Sequence, residues 1–410
     1  MKCAKQGGTV GIYATQQSSI SENNRARILQ YLYRNGISSR AQIAKALDLT
    51  PAAITKITAK LLDCGIIEET GDMNGNGHRR SIGLDFDCSK YHVIGVKFAR
   101  SLVQIGLFDL KGNQLSLKNM PEVHDETINQ TIDAIHHEIN ALLDRDQATV
   151  AIGMAVPGPY LKQVGRTAVV SSMQGWRTVN LLDEFAHAFR VPTFIEQDAR
   201  AGALAEYLFD PQVKSDNLAY YLLGEGVGLG VIDHGHIIDG FQGAATEIGH
   251  ISIDVNGRPC DCGNVGCLER YCSTPAIHDL IIEDGELIDN AKELSHAESA
   301  RHLFTLASQG DNKHALAMIR AIARYVGFGC VTIINAFNPH HIILGDIVAE
   351  AGRPLLDEVR RVVHQRAIPE LADVTKITLS NLSTDAAICG AAATAITQFI
   401  NHPSSFFDFD

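Results

Sequence analysis

The stretch EIGHISIDVNGRPCDCGNVGCLE, residues 247–269, contains three of the nine cysteines of this 410-residue chain within eight positions, and Cys272 follows shortly after. Such a cluster has four explanations: a disulfide framework, a redox pair, a metal site, or small residues that happen to lie together. The N-terminal residues lack the apolar segment of a secretory signal, which predicts a cytoplasmic protein with reduced thiols. The odd cysteine count also argues against a disulfide scaffold.

The composition, with 45% hydrophobic and 20% charged residues, is typical of a globular protein of two or three domains. No apolar run approaches the roughly 20 residues that cross a bilayer. The net charge of −12 hides an asymmetry: residues 1–80 carry eleven Lys and Arg against six Asp and Glu, whereas the rest carries 24 against 41. A basic head on an acidic body indicates a nucleic-acid-binding module joined to a different kind of domain.

The head is predicted to be a winged helix-turn-helix. Residues 22–33 and 40–47 have apolar side chains at helical spacing, and Ser39 is a suitable N-cap for the second helix. Thr50 and Pro51 fit the N-cap and first position of a third helix. The strand, Gly/Asn-rich turn and strand that come next in the chain complete the pattern with a wing.

The third helix and the wing are the parts expected to contact DNA. Small and polar side chains on the helix let the backbone approach the major groove, and cations at the wing tip can enter a minor groove. The alternative is a protein-interaction module with a solvated basic face. The predicted DNA-binding residues are Ala52, Ala53, Thr55, Lys56, Thr58, Lys60, His78, Arg79 and Arg80.

The body alternates strand-like runs with helical segments. This pattern predicts an α/β protein with mixed sheets in two lobes and a ligand between them. The runs lie near 91–99, 102–110, 150–158, 192–198, 218–224, 226–235 and 339–346, and the helices near 126–144, 181–190, 199–208, 314–336 and 349–366.

Residues 247–269 resemble the signature of the ROK family of repressors, open reading frames and sugar kinases, in which Glu-x-Gly-His precedes Cys-x-Cys-Gly-x-x-Gly-Cys-x-Glu. The turn Pro157-Gly158-Pro159, the pair Gly175-Trp176 and the run EQDARAGALAE at 196–206 are similar to further family motifs. The resemblance covers the body. The head matches the repressor branch, which includes the xylose, N-acetylglucosamine and NagC/Mlc-type regulators.

The resemblance implies a two-lobed, actin-like or ribonuclease-H-like sugar-kinase fold behind the winged helix-turn-helix. The expected domains are the head at 1–83, a first lobe at 84–198 completed by a C-terminal helix near 385–400, and a second lobe at 199–384 that contains the cysteine loop, residues 260–267, expected to bind zinc.

The cysteines are predicted to hold Zn²⁺. Cys260, Cys262 and Cys267 lie on a Gly-rich loop that can bring three sulfurs to one point, and a hairpin over residues 251–256 would return His250 to them. Three thiolates and an imidazole form a closed, structural tetrahedral site. The resemblance implies the same ligands. Cys272 is expected to be a packed thiol; buried reduced cysteines and a redox switch are the alternatives.

The family's kinases carry Asp-x-Gly-Gly-Thr after the first body strand, where the backbone holds phosphates and the acid helps to hold Mg²⁺. In this chain Lys97 replaces the acid, and Ala99 and Arg100 replace the glycines. The second phosphate turn, GEGVG at 224–228, has Glu225 where a small hydroxyl is usual. ATP-dependent catalysis is therefore not expected.

The resemblance implies that the sugar pocket is retained. Asp198 matches the kinase base, although alone it could be a helix N-cap, and without a phosphate donor it would only bind the sugar hydroxyl. Gln197 replaces the usual Asn, and Ser172 stands where an Asn often contacts sugar. These two differences leave the identity of the sugar open. The predicted sugar-binding residues are Asp198, Gln197, Glu247, His250 and Glu269.

The sequence thus predicts a sugar-responsive repressor of carbohydrate-metabolism genes that binds operator DNA as a homodimer or homotetramer. A sugar or sugar phosphate would change the arrangement of the heads. The alternatives are an ATP-dependent sugar kinase with an accessory head, and a regulator controlled by a sugar-transport protein.

Overall fold

A computed structural model describes residues 16–73, 81–99, 102–168, 175–308, 312–382 and 386–409. The predicted wing-tip residues His78, Arg79 and Arg80 lie outside the described residues, as do Arg100 and Ser172.

The head is a winged helix-turn-helix, as predicted. The Ser39 side chain caps α2 and exchanges hydrogen bonds with Gln42 in a capping box, and the Thr50 side chain caps α3. Gly65 ends α3 at a φ of 68°, which glycine adopts without strain. The elements are α1 (Gln16–Asn35), β1 (Ser38–Ser39), α2 (Arg40–Leu47), α3 (Pro51–Cys64), β2 (Ile67–Met73) and β3 (Ser81–Phe86), with the strands paired antiparallel in the order β1-β3-β2.

The first lobe of the body is a five-stranded mixed sheet in the order β10-β7-β4-β5-β6. Its strands are β4 (His92–Phe98), β5 (Val103–Asp109), β6 (Gln114–Asn119), β7 (Thr149–Val156) and β10 (Thr193–Gln197), and β8 (Tyr160–Leu161) pairs with β9 (Arg166–Thr167) beside it. Helices α4 (Ile128–Arg145) and α5 (Leu181–Phe185) belong to the same stretch, and α6 (Asp198–Phe209) follows β10 directly.

The second lobe is a five-stranded sheet in the order β13-β12-β11-β14-β15. Its strands are β11 (Leu218–Leu223), β12 (Val227–Asp233), β13 (His236–Ile237), β14 (His341–Gly345) and β15 (Lys376–Leu379). Its helices are α7 (Glu269–Cys272), α8 (Thr274–Asp284), α9 (His296–Ser308), α10 (Lys313–Phe337), α11 (Arg353–Arg366) and α12 (Pro369–Ala372), and the chain ends with α13 (Ala386–Asn401). The predicted two-lobed α/β body is confirmed.

Two closely packed helices, α6 and α13, connect the lobes. A Cβ added at Gly390 of α13 would lie 2.5 Å from the backbone of Ala201 in α6, and one at Gly153 of β7 would lie 1.8 Å from the carbonyl oxygen of Ala391. Glycine and alanine at these positions therefore allow the close approach of α13 to both neighbours. One end of α6 thereby reaches the space between the sheets.

The head packs against the body through a shared apolar core. Leu32 of α1 and Phe86 of β3 belong to one buried cluster with Phe399 of α13 and Phe407. Polar contacts add to this: the Tyr33 hydroxyl donates to the Leu110 carbonyl at 2.7 Å. The head is thus held in a defined orientation in this conformation.

Among the described helices, α10 has the length and hydropathy that a membrane span would need. Half of its most apolar 18-residue window is buried inside the body, as expected of a core helix.

Candidate functional site

A cavity of about 290 Å³ lies between the two lobes of the body. It opens where β4, β10, β11 and β14 end, which is where α/β proteins bind ligands. All five predicted sugar-binding residues line it: Asp198, Gln197, Glu247, His250 and Glu269.

Asp198 is the first residue of α6 and faces the cavity. The N-cap role belongs to its neighbour Gln197, whose side chain accepts a hydrogen bond from the Arg200 amide at 2.9 Å. Burial raises the pKa of Asp198 to about 7; the hydrogen bond from the Ala199 amide opposes this shift and the charge of Asp346 adds to it. A carboxyl group with this pKa can accept or donate a hydrogen bond to a ligand hydroxyl near neutral pH.

A buried ion-pair network supports this wall of the cavity. The fully buried Arg200 donates to Glu196 at 2.7 Å, and its other nitrogens donate to the carbonyls of Gly243 at 2.5 Å and Ala245 at 3.3 Å. Lys162 pairs with Glu196 at 2.6 Å. The network fixes the segment that leads to Glu247. Sequence reasoning missed Arg200, because only its place inside the small-residue run of α6 marks it as buried.

Glu247 precedes the short 3-10 helix Ile248–His250 and has an unsatisfied side-chain oxygen. Its Oε1 is buried and finds no hydrogen-bond partner among the described residues. Burial raises its pKa to about 7; Arg200 opposes this, and the charges of Asp198 and Glu269 add to it. A buried polar atom without a partner is costly, so a hydroxyl-bearing ligand would satisfy it.

The predicted metal ligands are brought together. The ligand atoms of His250, Cys260, Cys262 and Cys267 all lie within 4.8 Å of one another. The sulfurs of Cys262 and Cys267 are 3.6 Å apart, and His250 Nδ1 is 3.8 Å from the Cys260 sulfur. Tetrahedral zinc with bonds of about 2.3 Å to sulfur requires sulfurs about 3.8 Å apart. The donor set and its spacing therefore fit Zn²⁺.

The chain returns to His250 by a different route from the predicted one. Residues 251–256 form no hairpin of their own; instead Ser252 bridges Cys267 and Pro259 bridges Val265, both antiparallel. The segment DVNG is polar and ends in glycine, so it forms a turn without flanking strands. The residues on either side of it pair instead with residues 265–267. Cys272 is fully buried in α7, outside the group, as expected.

Glu269 joins the metal group to the cavity. One carboxylate oxygen lies 3.4 Å from His250 Nδ1 and 3.2 Å from the Cys260 sulfur. The carboxylate also lines the cavity, and its other oxygen would be 3.9 Å from a Cβ added at Gly226. An ordered metal loop would thus fix the orientation of this carboxylate.

Residues at the ends of three body strands also line the cavity. Lys97 at the end of β4, the adjoining Ala99, and Glu225 between β11 and β12 all line the cavity. Asp346 lines it as well, directly after β14.

On helix α3, which was predicted to contact DNA, the structure places some of the predicted residues at the surface and others in the interior. Ala52, Thr55 and Lys56 are exposed, and Ala53 is half-buried.

Thr58 was predicted to face outward, which is wrong. It is fully buried, because its spacing places it beside Ile54 and Leu61 on the inner face, and its hydroxyl donates to the Ile54 carbonyl at 2.8 Å.

Lys60 is half-buried and donates to the carbonyl of Phe409, near the C-terminus, which sequence spacing could not reveal. Arg40 of α2, which was not predicted, contacts Thr58 at 3.2 Å.

Comparison with known proteins identifies both parts of the chain. Residues 22–68 match the winged helix-turn-helix DNA-binding family and residues 93–398 match the ROK family. The chain belongs to the ROK family, and the predicted resemblance is confirmed.

Relatives share this two-part organisation. The chain is similar to the xylose repressor of Bacillus spizizenii, with 28% identity over 391 residues, 94% of this chain and 98% of that protein. Its structure is similar to that of a ROK family transcriptional regulator, a homolog of the E. coli MLC protein, with a TM-score of 0.77, 28% identity and coverage of 93% of this chain and 97% of that one.

The body alone is similar to a ROK family glucokinase from Streptomyces griseus in complex with glucose and AMPPNP. The TM-score is 0.64 with 26% identity, and the match covers 74% of this chain and 99% of that one. These similarities confirm the predicted kinase-like fold of the body.

Proposed function

We propose that this protein is a sugar-responsive, DNA-binding transcriptional repressor of carbohydrate-metabolism genes that acts in the cytoplasm. One observation carries the proposal: a winged head with an exposed helix face is packed against a kinase-like body whose interlobe cavity presents hydroxyl-binding carboxylates. The matches to the similar regulators span nearly the whole chain, whereas the match to the similar glucokinase covers 74% of it.

The cavity supports sugar binding. Its volume of about 290 Å³ is near the lower end of the range for small-molecule sites, which suits a single monosaccharide. The similar glucokinase holds glucose, and Asp198, Glu247 and Glu269 supply oxygens that accept from sugar hydroxyls.

The metal group supports a structural zinc. Four protein ligands fill a tetrahedral shell and leave no position for a reacting water, so the metal would fix the loop and Glu269. His250 would use Nδ1 for the metal, which leaves Nε2 for a ligand hydroxyl.

A regulator without kinase activity is supported by the phosphate-site residues. Lys97 stands where the family's kinases place an acid, and Glu225 adds negative charge at the second turn. Lys97 therefore supplies no carboxylate for Mg²⁺, and Glu225 places a carboxylate where the family's kinases approach the ATP phosphates.

Helix α6 supports coupling between the sugar and the DNA-binding head. Asp198 begins the helix at the cavity, and Tyr207 lies on its last turn, about 14 Å along the axis. There the Tyr207 hydroxyl accepts from Arg34 of α1 at 2.7 Å and donates to Asp216 at 3.0 Å, and Arg34 also pairs with Asp216. A ligand that favours one position of α6 would therefore act on the head.

The proposal is tested by selecting genomic DNA fragments on the full-length protein and then repeating the binding with a sugar panel. We expect enrichment of a two-fold symmetric site and a change of its affinity with at least one sugar. No enriched fragment would contradict DNA recognition. Robust ATP-dependent phosphorylation of any sugar would contradict the non-enzymatic assignment.

A further inference from the structure

A second cavity, of about 300 Å³, lies where the winged head meets the body. Helices α1 and α2 of the head line it from one side, and α6, α13 and the turn before β13 line it from the other. It shares none of its described lining residues with the interlobe cavity. We call it the head–body cavity, and the lining residues used below are Arg27, Arg34, Leu47, Leu208, Asp216 and Ile400.

The lining of the head–body cavity combines an apolar part with a polar part. Leu47 of the head and Leu204, Leu208 and Ile400 of the body supply aliphatic side chains, and Tyr207 adds an aromatic ring. Exposed polar side chains from both parts of the chain complete the lining. Small-molecule sites have this composition, in which apolar surface buries the ligand and a few polar groups orient it. The volume is likewise near the lower end of the range for such sites.

Arg27 indicates the charge of the ligand. It is half-buried on α1, and its guanidinium donates to the Leu47 carbonyl at 2.7 Å. No carboxylate of the described residues forms an ion pair with it, because the carboxylate of the same lining, Asp216, pairs with Arg34. With the histidines neutral, the described charged residues of the lining are two arginines and one aspartate, which leaves a net charge of +1.

We propose that the head–body cavity is a second ligand site and that it takes a small carboxylate with an apolar or aromatic body. The planar guanidinium of Arg27 matches a carboxylate, and its remaining N–H groups have no partner among the described residues. The apolar body of the ligand would displace water from Leu204, Leu208 and Ile400. This site goes beyond the proposed sugar response, because it contains none of the predicted sugar-binding residues.

A ligand in this cavity contacts the head and the body at once. It therefore favours the orientation of the head in which both walls are in place, and it acts on the head independently of the interlobe cavity.

Calorimetric titration of the full-length protein with benzoate, phenylacetate and indole-3-acetate, each beside its uncharged amide, tests the site. We expect at least one carboxylate to bind about ten times more tightly than its amide, because only the ionised group forms a charge-assisted pair with Arg27. The proposal is wrong if none of the carboxylates binds at millimolar concentration, or if every amide binds as tightly as its carboxylate.

Variants locate the bound carboxylate. Arg27→Gln removes the cation and Leu208→Trp fills the cavity, and each is expected to weaken carboxylate binding about tenfold. Arg145→Gln, at an exposed arginine of α4, is the matched control and should leave the affinity unchanged. Asp198→Asn should also leave it unchanged, since Asp198 lines only the interlobe cavity.

Thermal unfolding establishes that each variant is folded. Wild-type carboxylate affinity in a folded Arg27→Gln or Leu208→Trp variant would overturn the proposal. A loss of carboxylate binding in folded Asp198→Asn would also overturn it, because the carboxylate would then occupy the interlobe cavity.

Discussion

Asp198 is the residue at which burial and ligand binding oppose each other. The pKa of Asp198 is raised from 3.8 to about 7 in the folded state. Its contribution to the free energy of unfolding is therefore fully present only below about pH 4, where the carboxyl is protonated in both the folded and the unfolded state. The stability it contributes is lost as the pH rises to about 7. The residue is therefore retained at a cost in stability, as is common for binding groups.

Asp198→Asn is expected to remove this loss. The measured quantity is the free energy of unfolding of the variant minus that of the wild type. This difference should be at least about 1 kcal/mol larger at pH 8 than at pH 5. Denaturant unfolding at the two pH values measures the gain, and the variant should lose sugar binding at both. If this difference is the same at the two pH values, the pKa of Asp198 is not raised. The charged groups that act on the Asp198 carboxyl are Asp346, Lys97 and Arg200.

Lys56 is the exposed cation of helix α3 that we expect to contact a phosphate of the operator. Lys56→Ala should weaken operator binding severalfold and reduce the slope of log affinity against log salt by about one. Lys292→Ala, an exposed lysine of the second lobe, should change neither quantity. Anisotropy titrations across a salt series make the comparison, and identical slopes for wild type and Lys56→Ala would remove Lys56 from the interface.

Individual residues show where sequence reasoning is reliable and where it fails. The cluster of four residues that could hold a metal ion was predictable because their spacing is short and their chemistry specific. Thr58 was assigned to the wrong face because a threonine at an inward helical position can satisfy its hydroxyl on the preceding turn. Arg200 was missed because only its place in the small-residue run of α6 marks it as buried, and two of its partners, the carbonyls of Gly243 and Ala245, are distant in sequence.

At the scale of elements, helix α6 and helix α1 meet at a polar cluster of Arg34, Tyr207 and Asp216. Arg34→Ala and Tyr207→Phe are expected to preserve sugar binding but to reduce the effect of sugar on operator affinity by threefold or more. Arg366→Ala, an exposed arginine in the last turn of α11, is the control. An undiminished sugar effect in both variants would show that the coupling does not pass through this contact.

The metal loop is the second element with a testable role. One Zn²⁺ per chain is expected by elemental analysis, and its removal by a chelator should lower the melting temperature and weaken sugar binding, because Glu269 would lose its support. Cys262→Ser should lose the metal, whereas Cys272→Ser, at the buried cysteine outside the group, should keep it. A stable metal-free wild-type protein with unchanged sugar affinity would contradict this role.

The elements with strong periodicity were predicted well. The predicted strand over 91–99 is β4, and the predicted helix over 314–336 is α10. Strand β6 was missed because all six of its residues are exposed and show no alternation. The helix predicted over 181–190 ends at Phe185, and the residues that follow it form turns and bends.

At the scale of the molecule, the acidic body and the basic head are joined by an apolar core and by polar contacts at the C-terminal end. Ser404 contacts both Glu22 and Arg25 of α1, and Phe409 accepts from Lys60 of α3. No local pattern predicts this packing, because its partners are separated by more than 340 residues. The arrangement allows a ligand in the body to act on the operator-binding face.

Coupling between the cavity and the winged head is tested by the affinity of the full-length protein for its selected operator, measured by anisotropy with and without a saturating sugar. We predict sequence-selective binding whose affinity changes at least fivefold with the sugar. An operator affinity that is the same at zero and saturating sugar would contradict the proposal that the cavity and the winged head act together.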